Sequence, residues 1–250
     1  MSKFKVSVTI ITLDEEKDLP RCLESVKSFA DEIIVVDSGS TDKTVDIAKD
    51  FGAKVFERKF DNYQNQKNFA AEKTIGDWIF SIDADEEASP ELSLEVKKAV
   101  ESSKFVAYSI PRRNIIFGKF IRHTRWDPEL DRHIWLWKKS EGKWEGDVHE
   151  EVAAKGPVGK LVYAKVHYQY KTVAEFFDMM NRYSELESKQ RVADGQKFSL
   201  SRMFFDPFYN FSVRYFYRLG FLDGWRGFVL SYLMAVYHLN VWIKIWRKQK

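Results

Sequence analysis

With 250 residues, 44% of them hydrophobic and 31% charged, the chain is too apolar to be a disordered segment. It is long enough for one large domain or a domain with an appendage. A net charge of +3 is too small to point to nucleic acid, and the single cysteine, Cys22, excludes an internal disulfide and fits a reducing, cytoplasmic compartment. The opening MSKFKVSVTIIT is short and polar-interrupted and lacks a cleavage signature, so no signal peptide is expected.

In chain order, FKVSVTIIT (Phe4–Thr12), EIIVVD (Glu32–Asp37), AKVFER (Ala53–Arg58) and DWIFSID (Asp77–Asp83) read as buried strands. Helical patterns lie between them, over Lys17–Phe29, Thr41–Phe51 and Tyr63–Thr74. The second carries a start signal in Ser40 or Thr41 with Asp42, and a stop signal in Gly52. Strand–helix repetition at this spacing predicts a mostly parallel α/β sheet with right-handed crossovers. Pro90 opens another helix, to about Ser102. From Phe105 to Tyr170 short strand-like runs with Gly-containing turns predict mixed or antiparallel additions to the same sheet, and from Thr172 the pattern is helical to the end.

Ligands of an open parallel sheet bind beyond the carboxyl ends of its strands. Here those ends are acidic: Asp14 and Glu15 after the first strand, Asp37 after the second, Asp83 and Asp85 after the fourth. Like charges about 4 Å apart at an effective dielectric near 20 repel by roughly 4 kcal/mol per pair. Either some of these acids are protonated or a cation sits among them. Asp83 and Asp85 are hard oxygen donors, suited to Mg²⁺ or Mn²⁺, and an ion with few protein ligands keeps positions open for substrate phosphates. Helix capping accounts for Gly39, Ser40, Thr41 and Asp42, but not for Asp37. Neither a Walker loop nor G-x-G-x-x-G is present, and the five histidines show no paired ligand spacing, so zinc is not expected. Cys22 reads as a small core residue on a helix. Arg112, Arg113, Arg122, Arg125 and Arg132 surround the second-half strands, and some could meet phosphate.

TIITLDEE, EIIVVDSGSTDKT, QNQKNFA and SIDADEE, in this order and spacing, resemble the family 2 glycosyltransferases of GT-A fold over about residues 4–170. ADEIIVVDSGSTDKT, VHEEV and GFLDGWRG are similar to the branch containing lipopolysaccharide-core glucosyltransferases. The resemblance implies a GT-A domain over residues 1–171 and a helical extension over 172–250. It implies that Thr12 and Glu15 line the nucleotide pocket, that Asp37 bonds the uracil or its ribose, and that Lys67 approaches the base or diphosphate. Asp83 would face the ribose and sugar, and Asp85 would bind the Mn²⁺ or Mg²⁺ on the diphosphate. Asp14 stands where the family often has Asn, which weakens any role for an amide there.

Inverting transfer needs a carboxylate to take the proton of the acceptor hydroxyl. GDVHEEV (Gly146–Val152) offers Glu150 and Glu151, and the family's His-Glu pattern favours Glu150; His149 would position that base or touch the diphosphate. The activity implied is transfer of a sugar, glucose first, from a UDP-sugar to a lipid-linked or envelope glycan such as lipopolysaccharide core. Two rivals keep the nucleotide site. A nucleotidyltransferase predicts a Gly-rich basic loop after the first strand, which TLDEEKDLPR lacks, and a non-catalytic membrane scaffold predicts binding without turnover.

After residue 200 lie 15 of the chain's 39 aromatic residues, and eight basic against two acidic residues. Phe221, Trp225, Phe228, Tyr232, Ala235, Leu239, Trp242 and Trp246 form one helical stripe, and Leu230, Met234, Tyr237, Val241 and Ile245 a second. Together with the basic end they predict an interfacial helix. Trp242 and Trp246 would insert into an anionic surface at the cytoplasmic face of the membrane. A bundle or homo-oligomer interface is the competing expectation.

Overall fold

The computed structural model describes residues 4–146 and 150–250, so His149 lies outside the described residues. Contacts divide the chain into two units, residues up to 112 with 131–167, and residues 113–130 with 168–250. The elements in chain order are β1 (Val6–Thr12), α1 (Leu19–Val26), β2 (Glu32–Asp37), α2 (Thr44–Asp50), β3 (Lys54–Glu57), α3 (Tyr63–Glu72), β4 (Trp78–Ser81), β5 (Glu86–Ala88) and α4 (Pro90–Ser102). There follow β6 (Ala107–Ile116), β7 (Lys119–Phe120), β8 (Arg132–Lys138), β9 (Gly142–Glu145), β10 (Glu151–Ala154), β11 (Val158–Lys160) and β12 (Lys165–His167). The helices α5 (Val173–Ala193), α6 (Leu200–Ser212) and α7 (Trp225–Lys248) complete the chain, with a π-helical turn over Val213–Tyr217 and a 3-10 turn over Gly220–Asp223.

The first unit has the expected α/β architecture. The sheet runs β3-β2-β1-β4-β8-β6-β12-β5, with β7 and β11 also pairing β6. β3, β2, β1 and β4 are mutually parallel, whereas β8 is antiparallel to both β4 and β6. The central parallel strands β1, β2 and β4 are mostly buried, as strands covered on both faces are, whereas β3 at the edge is half-exposed. Val8, Ile10, Val35, Trp78 and Phe80 are buried against Leu19, Leu23 and Val26 of α1 and Leu92 and Val96 of α4. Each such side chain contributes roughly 1.5–3 kcal/mol on leaving water. Helix starts follow local chemistry: Asn62 accepts from the Asn65 N–H before α3, and Ser89 accepts from Leu92 N–H before α4, where Pro90 sits in the first turn. Cys22 is fully buried in α1, as expected.

The second unit is built on α5, α6 and α7. Ile116, Phe117, Ile121, Phe176, Met180, Leu230 and Leu233 form one core, and Val241, Trp242 and Ile245 a second, against Phe198 and Met203. Gly227 lets α7 approach the 3-10 turn: a Cβ there would stand 1.8 Å from the Gly220 carbonyl oxygen. The stripe of Leu230, Val241 and Ile245 is therefore interior. The expectation for Trp242 is corrected here. It is 1% exposed and its indole N–H donates to Asp206 Oδ2 at 2.8 Å, so it belongs to the core and cannot enter lipid. Among the described residues α7 is the one helix whose length and composition would suffice to cross a membrane, with 39% of its most apolar window buried. Other members of the predicted α7 stripe, Trp225, Phe228, Tyr232 and Trp246, are exposed, and α6, which has no buried residue, adds Phe204, Phe205, Phe208 and Tyr209 to the outward aromatic surface.

Candidate active site

Register brings the strand ends together. Thr12 pairs with Asp37 across β1 and β2, and Ile82 N–H donates to the Thr9 carbonyl at 3.1 Å, so Asp83 emerges at the same edge. Asp37 is buried and builds the turn that follows it: its carboxylate accepts from Thr12 Oγ1 at 3.1 Å, Gly39 N–H at 2.9 Å and Ser40 N–H at 2.8 Å. Gly39 has φ +97°, a conformation that L side chains rarely adopt. Asp14 has φ 55°, which Asp and Asn tolerate best, and its Oδ1 accepts from Thr41 N–H at 2.7 Å. An acceptor oxygen suffices for that bond, so Asp serves there as Asn would. The expected helix start shifts as a consequence. Ser40 and Thr41 are engaged by Asp37 and Asp14, and Asp42 instead accepts from Thr44 N–H at 2.9 Å as α2 begins. Glu15 sits at this corner with its N–H on Thr44 Oγ1 at 2.7 Å.

Asp83, Lys67 and Glu150 meet although far apart in sequence. Lys67 Nζ lies 2.9 Å from Glu150 Oε1 and 3.6 Å from Asp83 Oδ1, over the rings of Trp144 at 4.6 Å and Trp135 at 5.4 Å. Beneath them Glu86 is fully buried; it accepts from Asp83 N–H at 3.0 Å and pairs with the fully buried Lys165. Arg112 reaches Glu86 Oε1 at 3.5 Å and forks onto Asp131 with two bonds of 2.9 Å. Sequence reading anticipated repulsion among these acids but not the three buried or half-buried cations that offset it. Burial pushes the Asp83 carboxyl up, but Lys67, Lys165, Arg112 and His167 outweigh it and hold it well below the usual carboxylate range. Burial likewise lowers Lys67, yet Asp83 and Glu150 raise it above its ordinary value, so the ammonium stays charged. Cys22 is held as a neutral thiol by burial and by Glu86 and Asp85.

Asp85 and His167 are the pair that sequence reading missed. His167 Nε2 lies 3.1 Å from Asp85 Oδ2, because β12 runs antiparallel to β5 and pairs His167 with Glu86. Among the described residues no three His, Cys, Asp or Glu side chains gather in metal-ligand geometry. The Asp85 carboxylate, with Asp83 two residues away, is the oxygen donor type that suits Mn²⁺ or Mg²⁺, and either ion would need water and phosphate oxygens to complete its shell.

The sequence pattern described as "Glycosyl transferase family 2" matches residues 7–152. The chain is a family 2 glycosyltransferase. An uncharacterized glycosyltransferase of Rickettsia typhi is 34% identical to it over 244 residues, 92% of this chain and 83% of that one. The lipopolysaccharide core biosynthesis glycosyltransferase LpsC of Rhizobium meliloti is 31% identical over 262 residues, 98% and 93% of the two chains. Among solved structures, Mycobacterium tuberculosis glucosyl-3-phosphoglycerate synthase, crystallised with Mn²⁺, UDP and glucosyl-3-phosphoglycerate, matches at 22% identity and a TM-score of 0.39. The match covers 45% of this glycosyltransferase and 44% of that chain, less than half of either.

Proposed function

We propose that this glycosyltransferase moves a hexose, glucose first, from a UDP-sugar to a hydroxyl of a lipid-linked or envelope glycan such as lipopolysaccharide core, with inversion and with Mn²⁺ or Mg²⁺ bound. The observation that carries the reading is the convergence of Lys67, Asp83 and Glu150 beside the Asp85–His167 pair. The similarity to LpsC along nearly the whole chain supports the acceptor class. Thr12, Glu15 and Asp37 form the nucleotide side, Asp83 faces the ribose and sugar, and Lys67 stands where a diphosphate would lie. Asp85 with His167 would hold the metal, whose chemistry is to neutralise the leaving diphosphate. Glu150 takes the proton of the acceptor hydroxyl as its oxygen bonds to the anomeric carbon and UDP departs. Donor binding and catalysis belong to residues 1–171, and residues 172–250 are the extension.

The first test is binding and slow hydrolysis of a panel of UDP- and GDP-sugars with Mn²⁺, which needs no acceptor. Within it, Asp37→Ala is expected to weaken UDP itself at least about tenfold, the scale of a lost charge-assisted hydrogen bond. Calorimetry is run well below the melting point of the variant, since the same carboxylate also holds the Gly39–Ser40 turn. Wild-type UDP affinity in a folded Asp37→Ala would leave Asp37 a turn-making role only.

We place the enzyme peripherally on the cytoplasmic face of the membrane, with α6 as the attaching surface. Phe205 and Phe208 are each 71% exposed, and an aromatic face of this kind is unusual on a surface that meets only water. Substituting Phe204, Phe205 and Phe208 together by Ser should release the protein from anionic liposomes in a flotation assay and spare donor hydrolysis. Salt should weaken the wild-type association only in part, because apolar insertion is not screened. Wild type that stays soluble, with a dimer broken by the substitutions, would make α6 an assembly surface.

A further inference from the structure

Arg214 is an anomaly in the helical unit. It sits in the π-helical turn after α6 and is 7% exposed, yet Nε and Nη1 are buried without a hydrogen-bond partner, and among the described residues its guanidinium makes no ion pair. Its one described side-chain partner is the Trp126 ring, 5.3 Å away. A buried guanidinium without an anion is costly, because an ion removed from water needs both a counter-charge and acceptors for its N–H groups. Arg125 adds a like charge, since it lies between Thr124, which bonds the Arg218 carbonyl, and Trp126, which meets the Arg214 guanidinium. Burial and the neighbouring Arg125 push Arg214 down to about 10, with no carboxylate acting in the other direction. Arg218, four residues on, also has a buried Nε without a hydrogen-bond partner.

The two acids after residue 201 do not fill the gap. Asp206 accepts from the Trp242 indole, and Asp223 from the backbone N–H groups of Arg122 and His123 at 3.1 and 2.9 Å. Those two bonds, with Thr124 N–H on the Arg218 carbonyl at 3.0 Å, fix the loop carrying Arg125 and Trp126 against the π-helical turn. Gly220 closes the joint: a Cβ there would meet the Arg214 carbonyl oxygen at 2.7 Å and Thr124 Cγ2 at 2.9 Å. The fold thus holds the loop that carries Arg125 against a turn whose Arg214 has acceptor-free N–H groups, and the planar guanidinium fork is the donor that recognises phosphate.

We infer that Arg214 and Arg125, with Arg218 four residues after Arg214, form a binding site for a phosphate monoester within the second unit. Inorganic phosphate and a phosphatidic acid headgroup share that chemistry and serve as the two probes. Full-length protein titrated calorimetrically with inorganic phosphate at constant ionic strength should show saturable binding. That binding should persist when UDP is added and fall at least about tenfold in Arg125→Ala and in Arg214→Gln. Arg125 is exposed and bonds nothing through its side chain among the described residues, so Arg125→Ala decides the matter if Arg214→Gln fails to fold. Flotation with phosphatidylcholine vesicles, with and without phosphatidic acid, separates the sources. Vesicles that carry wild type but not Arg125→Ala, only when phosphatidic acid is present, assign the phosphate to a lipid; binding of free phosphate alone assigns it to a soluble ligand. Absence of saturable binding to either probe, or binding unchanged in both folded variants, overturns the site. The donor reading stands or falls separately, since it predicts UDP-sugar binding that neither arginine variant alters.

Discussion

Glu150→Gln is expected to bind UDP-sugar like wild type and to transfer its sugar at least about a hundredfold more slowly, the usual scale for loss of a general base. Glu151→Gln is expected to stay near wild type. The two neighbours differ in where the chain leaves their side chains. Glu150 is 15% exposed and paired with Lys67, which also faces Asp83. Glu151 begins β10, is 70% exposed, and stands 3.3 Å from His133 Nδ1. Lys67 Nζ holds Glu150 Oε1 at 2.9 Å, which fixes where the carboxylate points. A donor diphosphate arriving at Lys67 would compete for that ammonium and leave the carboxylate free to accept a proton. Gln keeps the shape and a hydrogen bond to Lys67 but cannot take the proton, so donor affinity and transfer rate should separate. Single-turnover transfer with calorimetric donor binding checks this. A slow Glu151→Gln with a fast Glu150→Gln would move the role by one residue, and two fast variants would remove the segment from the mechanism.

The parallel half of the sheet was legible because β1, β2 and β4 are mostly apolar runs with acids at or just beyond their carboxyl ends. Glu32–Asp37 matches its expected limits, and Thr12, Asp37 and Asp83 arrive at one edge as the strand–helix repetition implied. Boundaries moved where side chains competed for the same groups: Ser40 would cap a helix in isolation, but Asp37 and Asp14 engage it first. The cations among the acids were not legible. Lys165 and Glu86 stand 79 residues apart, and Lys67 and Glu150 83 apart; no local spacing announces such pairs. The same holds for His167. A search for two ligands at helical or turn spacing passes over a histidine that meets Asp85 only through antiparallel pairing of β12 with β5. Trp242 misled for a different reason. It shares a sequence stripe with Trp225, Phe228, Tyr232 and Trp246, and only packing tells that Trp242 faces Phe198 while those four stay exposed.

Asp85→Ala is expected to abolish metal-dependent binding of UDP-sugar, and His167→Ala to weaken it at least about tenfold, a loss of one ligand of the two. Wild type should bind UDP-sugar more tightly with Mn²⁺ than with a chelator present, and Asp85→Ala equally weakly in both. The alternative is that Asp85 and His167 form an ion pair that rivets β5 to β12. That pair would be half-exposed on the Asp85 side, so its net stabilisation would be about 0–1 kcal/mol. The two roles make opposite demands on His167: an ion pair needs the imidazolium, whereas a metal ligand must be the neutral ring. His167→Gln separates them, since Gln can still bond Asp85 but is a poor substitute for imidazole at a metal. Calorimetry of UDP-sugar with and without Mn²⁺, beside thermal melting without metal, reads both. A ligand role predicts that His167→Gln melts near wild type while its Mn²⁺-dependent affinity falls with that of His167→Ala. If affinity is independent of Mn²⁺ in all four proteins, and Asp85→Ala merely melts lower, the pair is structural and the metal sits elsewhere or is not used.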